Sequence, residues 1–173
     1  MRSAYGLSQP GEDGELTHVG PGTPMGEVMR AYWQPVALAE ELGVLPVAIR
    51  ILGEDLIVFR TRSGAVGCLE PHCAHRGTSL IYGRIEDRGI RCCYHGWLYD
   101  TEGACIEMPC EAPGYAGRMA IRQPGYPTHV HGGLVFVYMG QPDKQPLIPI
   151  YDIIDTRERD DVVLRGLRMW DDC

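Results

Sequence analysis

Four side chains with metal-binding chemistry lie in two short segments near the middle of the chain. One residue separates Cys73 from His75, two residues separate Cys92 from His95, and sixteen residues lie between the pairs. Two thiolates and two imidazoles are the ligand set either of a tetrahedral zinc site or of a [2Fe-2S] centre with mixed ligands. Zinc sites more often leave two to four residues between the first two ligands, so the single-residue gap favours the iron–sulfur centre.

The residues flanking these pairs resemble the two cluster-binding loops of Rieske proteins. His75 is followed by Arg-Gly, and His95 by Gly-Trp-Leu-Tyr-Asp. Over roughly residues 18–140, the chain resembles the N-terminal Rieske domain of a Rieske non-haem iron oxygenase large subunit, in the branch of phthalate dioxygenase and the aromatic O-demethylases. Further matching segments are Val19–Gly26, Tyr32–Ala37 and Leu52–Leu56.

The resemblance implies how the four side chains would hold the cluster. Cys73 and Cys92 would bind one iron through sulfur, and His75 and His95 would bind the other through nitrogen. Replacing two anionic thiolates with neutral imidazoles removes two negative charges, which raises the reduction potential relative to ferredoxins with four cysteine ligands. The imidazoles can also lie at the protein surface, where electrons could leave.

Three loop positions distinguish this chain from the Rieske proteins of cytochrome complexes. In those proteins each loop has an extra cysteine and the two form a disulfide, whereas the matching positions here are Thr78 and Tyr94. Those proteins also have a serine that donates to a bridging sulfide, and here Trp97 takes its place. Without that donor, we expect a reduction potential near the low end of the Rieske range, roughly −150 mV. Tyr99 matches a tyrosine common to both types and is a candidate donor to a cysteine sulfur.

Composition excludes several other functions. The 173 residues include 16 Lys and Arg and 23 Asp and Glu, a net charge of −7, and the basic residues are scattered. Neither nucleic acid nor a membrane is therefore an expected partner. No apolar run approaches the roughly 18 to 20 residues of a membrane span, and the N-terminus lacks the pattern of an export signal. We expect a cytoplasmic protein, in which seven cysteines indicate metal binding or redox chemistry.

The two loops require a scaffold of short strands, and 22 glycines with 13 prolines predict many turns. We expect a mainly β fold, the Rieske [2Fe-2S] fold, with a small antiparallel barrel or sandwich, an inserted cluster-binding subdomain and one short N-terminal helix. That helix is predicted from Thr23 to about Trp33, with Thr23 as its N-cap and Pro35 beyond its end. The other predicted elements are a meander (Val47–Leu52, Leu56–Thr61, Ala65–Leu69), a hairpin over residues 98–107, an irregular loop (Met108–Arg118) and a strand (Leu134–Tyr138).

The remaining cysteines and histidines have predicted structural roles. If residues 90–93 are extended, Cys93 points away from its neighbouring ligand, and we expect a buried thiol. His72 is expected to pack or to lie at the surface. His129 and His131 would share one strand face, but a mononuclear iron also needs a carboxylate, and none lies within ten residues. Small apolar or free cysteines are expected at Cys68, Cys105, Cys110 and Cys173.

The sequence divides into three predicted parts. Residues 1–22 form an N-terminal arm, and residues 23–140 form the Rieske domain. Residues 141–173 begin with a proline-rich linker and end in an apolar segment, Val162–Trp170, predicted to be the first strand of a further domain. A strand without a partner leaves an unpaired edge, so we expect a catalytic domain to follow, in this chain or in another.

By the resemblance, the chain is the electron-transfer portion of an oxidoreductase. It would accept electrons from a reductase containing flavin or an iron–sulfur cluster, and pass them to a mononuclear Fe(II) in the missing catalytic domain. There an aromatic acid would be hydroxylated or O-demethylated, and the full enzyme would be a homotrimer. No catalytic residue is assigned to this chain. The alternative is a free-standing Rieske-type ferredoxin, which is usually shorter and lacks a helix like the one predicted at Thr23.

Overall fold

Short antiparallel strands dominate the computed structural model, which describes residue 11 and residues 13–150. The mainly β prediction is confirmed. Residues 1–10 and residue 12 of the predicted N-terminal arm lie outside the described residues, as does all of Val162–Trp170. Within the described part, no helix is long and apolar enough to cross a membrane.

The strands of the described residues form three sheets. In chain order they are β1 (Trp33–Leu38), β2 (Val47–Ile51), β3 (Glu54–Arg60), β4 (Val66–Leu69), β5 (Arg84–Ile85), β6 (Ile90–Arg91), β7 (Leu98–Tyr99), β8 (Cys105–Glu107), β9 (Gly125–Tyr126), β10 (Thr128–His131) and β11 (Leu134–Tyr138). The sheet orders are β1-β11-β10, β2-β3-β4-β9 and β5-β6-β7-β8. The predicted meander, hairpin and final strand are therefore confirmed.

Strand β3 lies between the two main cores of the fold and contributes side chains to both. Successive side chains of a strand point to opposite faces. Ile57 and Phe59 accordingly pack into the core of the subdomain that carries the candidate ligands. Leu56 and Val58 pack into the core formed with β11. All four side chains are buried, so the subdomain is fixed to the scaffold through one rigid strand.

The N-terminal helix is shorter than predicted. Thr23 caps it as expected, accepting a hydrogen bond from the Gly26 amide over 3.2 Å. The helix, α2 (Pro24–Arg30), ends before Trp33, however, because Trp33 is drawn into β1, where it pairs with Tyr138 and is buried. The prediction that the helix reaches Trp33 is therefore wrong.

Two further short helices lie where none was predicted. Helix α1 (Gly14–Thr17) is a single turn within the predicted arm. Helix α3 (Tyr115–Met119) lies within the segment predicted to be an irregular loop. It packs against β8, with Ala116 buried in the core of the ligand-bearing subdomain. The remaining helical segments are 3-10 turns at Ala39–Glu41, Leu80–Tyr82 and Pro142–Lys144.

Candidate metal centre

The two candidate ligand segments, Cys73–Thr78 and Cys92–Trp97, fold into turns of the same size. In each, the cysteine amide donates to the carbonyl of the residue five positions later, at 2.9 and 2.8 Å. The glycine at the fifth position of each turn donates back to the cysteine carbonyl, at 2.8 and 3.1 Å. Gly77 and Gly96 have positive φ angles of 68° and 73°, which a residue without a Cβ adopts readily. The histidine is the third residue of the first turn and the fourth of the second, so one backbone geometry accommodates both spacings.

The two turns place the candidate ligands in two pairs, one of thiols and one of imidazoles. The Cys73 and Cys92 thiols are each 3% exposed and lie close enough to interact. The His75 and His95 rings are half-buried, with centroids 4.6 Å apart. The Nδ1 atom of His75 is buried and has no hydrogen-bond partner among the described residues. A buried ring nitrogen left in this way, two residues after Cys73, fits a metal ligand, since buried polar atoms otherwise find partners.

Hydrogen-bond donors surround the two candidate sulfur ligands. The Tyr99 hydroxyl lies 3.1 Å from Cys73 Sγ, which confirms the predicted contact. Burial, and then the hydrogen bond to Cys73, raises the pKa of Tyr99, so this hydroxyl keeps its proton at neutral pH. The backbone amides of Tyr94 and His95 face the sulfur of Cys92. These donors would stabilise negative charge on both sulfurs.

The protonation of two candidate ligands is shifted by their surroundings. Burial raises the pKa of the Cys92 thiol, and the neighbouring Cys73 thiol adds to the shift. Desolvation lowers the pKa of His95, and the neighbouring His75 and Arg76 lower it further. His95 is therefore held in the neutral form that binds metal, whereas Cys92 must lose a proton to do so.

Aromatic rings lie against both candidate histidine ligands. The Trp97 indole is stacked on the His75 ring, with centroids 4.3 Å apart and planes 2° from parallel. The Tyr94 ring lies 3.8 Å from the His95 ring, tilted by 37°, and Tyr94 remains 60% exposed. The site is thus shielded by Trp97 on one side and open beside Tyr94 on the other.

A charged network that the sequence analysis missed supports the second loop. Arg91 donates to both carboxylate oxygens of Glu86, at 2.7 and 2.8 Å, and to Glu107 at 2.6 Å. Its remaining Nη1 donates to the Gly96 carbonyl at 2.6 Å. The hydrogen bond to Arg91 lowers the pKa of Glu86 to about 2. The guanidinium therefore anchors the turn to the β5-β6-β7-β8 sheet. An arginine directly before a candidate ligand cysteine was the only sequence signal.

The other cysteines behave as predicted, with one exception. Cys68 and Cys105 are buried, and burial raises the pKa of Cys68 to about 12 and that of Cys105 to about 11. Cys110 is exposed. The expected burial of Cys93 is wrong: β6 ends at Arg91, so the strand alternation does not reach Cys93, and its thiol is exposed. Cys173 lies outside the described residues.

Three further histidines, His72, His129 and His131, are not among the four candidate ligands. His72 is exposed and its Nδ1 lies 2.9 Å from Glu70, in agreement with the predicted surface role. His129 contacts the ring of Trp33, with centroids 6.1 Å apart. Among the described residues, no three Cys, His, Asp or Glu side chains are grouped closely enough to hold one metal ion, whether around His129 and His131 or at the two candidate pairs.

Comparisons with known proteins agree with this geometry. Residues 32–131 match the family model described as the Rieske [2Fe-2S] domain. The chain is 50% identical over 161 residues to the phenoxybenzoate dioxygenase subunit alpha of Ectopseudomonas oleovorans, covering 93% of this chain and 39% of that protein. It is 43% identical over 140 residues to the phthalate 4,5-dioxygenase oxygenase subunit of Pseudomonas putida, covering 79% of this chain and 32% of that protein.

A solved structure has the same fold. The crystal structure of dicamba monooxygenase bound to dicamba superimposes with a TM-score of 0.63 and 27% identity, covering 72% of this chain and 40% of the other. The chain thus spans about two-fifths or less of the length of these three proteins.

Proposed function

This chain belongs to the Rieske [2Fe-2S] domain family, and we propose that Cys73, His75, Cys92 and His95 bind its cluster. The observation that carries this proposal is the pairing of two buried thiols with two adjacent imidazoles, one of which has a buried nitrogen without a partner. When bound, a [2Fe-2S] cluster takes up and releases a single electron. The thiol pair would hold one iron and the imidazole pair the other.

The protein's own groups set the conditions for that electron transfer. Thiolates at Cys73 and Cys92 would carry negative charge into a buried site, and the Tyr99 hydroxyl offsets part of it by donating to Cys73. His75 and His95 contribute no charge in the neutral form. Because they lie on the less buried side, they offer the short path to a partner, and the exposed Tyr94 lies directly beside it.

We further propose that the domain works within a larger oxygenase. A reductase with flavin or an iron–sulfur cluster would supply electrons, and a catalytic domain or chain would receive them at a mononuclear Fe(II). The reaction would be hydroxylation or O-demethylation of an aromatic acid in a cytoplasmic homotrimer. The relatives named as dioxygenase subunits support this role.

The domain boundaries belong to the same proposal: an arm at 1–22, the Rieske domain at 23–140, and a linker with the first strand of the catalytic domain at 141–173. The start of this linker packs on the domain. The indole N–H of Trp33 donates to the Pro146 carbonyl at 2.9 Å, and Ile148 packs against the core of Trp33, Phe136 and Tyr138.

A reductive titration tests the division of labour. The chain should accept one electron from dithionite or from a flavin-dependent reductase, and should form no product from benzoate or methoxybenzoate substrates. Adding the catalytic domain of a homologous oxygenase, fused after residue 173 or as a separate chain, should restore turnover. Product formation by the 173-residue chain alone would contradict the proposal. Efficient electron delivery to an unrelated oxygenase, without turnover in the fusion, would favour the ferredoxin alternative.

A further inference from the structure

The side chain of Gln123 reaches into the first candidate ligand loop from a segment about fifty residues later in the chain. Gln123 is only 1% exposed, and its amide is fully used. Its Oε1 accepts from the Ala74 amide at 2.7 Å, and its Nε2 donates to the His72 carbonyl at 2.8 Å. The same Nε2 also lies within 2.8 and 2.9 Å of the carbonyl and carboxylate oxygens of Glu70.

These contacts hold the backbone on both sides of Cys73. His72 and Ala74 are its immediate neighbours, so the Gln123 amide pairs with them much as a peptide group of an adjacent strand would. The amide and carbonyl of Cys73 itself are taken up inside the turn. The backbone on either side of Cys73 is therefore held by the turn, by Gln123, and by Glu70, whose carboxylate accepts from the His72 amide at 3.1 Å.

The backbone around Gln123 is hydrogen-bonded to the hairpin that follows the second candidate ligand loop. The backbone amide of Gln123 donates to the Gly103 carbonyl at 2.7 Å. The backbone amide of Cys105 donates to the Ile121 carbonyl at 2.9 Å. Gly103 and Cys105 belong to the β7-β8 hairpin, which directly follows the second loop. A Cβ at Gly103 would lie 2.0 Å from the Gln123 carbonyl oxygen, so this approach requires glycine.

We infer that Gln123 is a positioning residue that fixes the first loop relative to the second, and with it the placement of the Cys73–His75 pair against the Cys92–His95 pair. The inference rests on the proposed function, because it requires that both loops bind one cluster. An amide suits this role because it offers a donor and an acceptor without adding charge beside the site.

Two substitutions at Gln123 and one control distinguish positioning from general stability. Gln123→Leu removes every side-chain hydrogen bond, whereas Gln123→Glu retains the acceptor for Ala74 and loses the donors to His72 and Glu70. The control is Gln34→Leu, since Gln34 also donates to two backbone carbonyls, of Met29 and Tyr32, but contacts neither loop. All three are made in the 173-residue chain loaded with iron and sulfide.

The expected results concern the loop and the cluster spectrum. Hydrogen exchange at Ala74 should be roughly tenfold faster in Gln123→Leu than in the wild type. Both Gln123 variants should shift the g-values of the reduced cluster and its midpoint potential. Gln34→Leu should lower the melting temperature while leaving Ala74 exchange, g-values and potential unchanged.

The inference and the proposed function fail in different ways. A wild-type chain that binds no [2Fe-2S] cluster contradicts the proposed function, whatever the exchange at Ala74. A wild-type Rieske spectrum that is unchanged in Gln123→Leu, with only a lower melting temperature, overturns the positioning role. If Gln123→Leu does not fold, the Gln123→Glu variant decides, and wild-type g-values and potential in that variant overturn the inference.

Discussion

The imidazole of His75 lies flat against the indole of Trp97, with ring centroids 4.3 Å apart and an angle of 2° between the planes. Trp97 occupies the position where the Rieske proteins of cytochrome complexes have a serine. In this chain the Trp97 indole therefore covers the ring of a proposed ligand. It shields that ring from solvent and limits its rotation.

Removing the stack should make the centre more accessible. In Trp97→Ala one face of His75 is exposed to solvent, and a ring contact worth roughly 0.5 to 1.5 kcal/mol is lost. We expect faster loss of iron to a chelator in air than in the wild type, followed by the decay of visible absorbance. Trp97→Phe should remain close to the wild type because it keeps a ring in place. Equal rates in all three proteins would refute the shielding role.

The Tyr99 hydroxyl should raise the reduction potential. Its hydrogen bond to Cys73 Sγ stabilises negative charge, which is greatest after reduction. A hydrogen bond about 1 kcal/mol stronger in the reduced state corresponds to about 40 mV for one electron, so Tyr99→Phe should lower the midpoint potential by about that amount. Tyr138→Phe is the matched control, since that buried hydroxyl donates to the Gln141 carbonyl, away from both loops. Voltammetry that finds the same shift in both variants would contradict this account.

The absolute potential should be low. Neither loop has the extra cysteine or the serine donor, because these positions are Thr78, Tyr94 and Trp97. We expect a midpoint near the low end of the Rieske range of roughly −150 to +300 mV. Thiol titration of the unfolded protein should also find no disulfide. A midpoint above about +100 mV would contradict the oxygenase role and favour respiratory electron transport.

The Glu86–Arg91 pair should make stability depend on pH. The pKa of Glu86 is lowered from 4.5 to about 2, chiefly by the hydrogen bonds from Arg91 and also by Arg84, so its stabilising contribution is complete above 4.5 and is lost as the pH falls from there toward 2. Glu86→Gln should lower the melting temperature at pH 7, and its difference from the wild type should begin to shrink below about pH 4.5.

The control for this pair is Asp55→Asn. The Arg50–Asp55 ion pair is exposed on both sides, and exposed pairs contribute little. The comparison is made between pH 4 and 7, because cluster sulfide is lost in stronger acid. A Glu86→Gln melting temperature that matches the Asp55→Asn value at pH 7 would show that the network does not support the fold.

The four candidate ligands could be predicted because their signal is local. Two cysteines, two histidines and two glycines within two six-residue turns define the loops without reference to the rest of the chain. The supporting groups could not be predicted in this way. Gln123 acts on residues about fifty positions earlier, and nothing in its own surroundings in the sequence distinguishes it from a polar loop residue.

The errors in secondary structure have a related cause. The periodic pattern around Trp33 fits a helix, but pairing with Tyr138, more than a hundred residues later, draws it into a strand. Alternation predicts a buried Cys93, yet the ladder of β6 ends two residues earlier. In both cases tertiary contacts decided where a local element ended.

Iron and acid-labile sulfide analysis of ligand and control variants tests the central claim most directly. The wild-type chain should hold two irons and two sulfides, with the spectrum of a Rieske cluster. Substituting any proposed ligand, for example Cys92→Ser or His95→Ala, should abolish this content. Cys93→Ser, Cys110→Ser and His129→Ala should retain it, because these residues lie outside the two pairs. Stoichiometric zinc without sulfide in the wild type, or full cluster content in Cys92→Ser, would contradict the account.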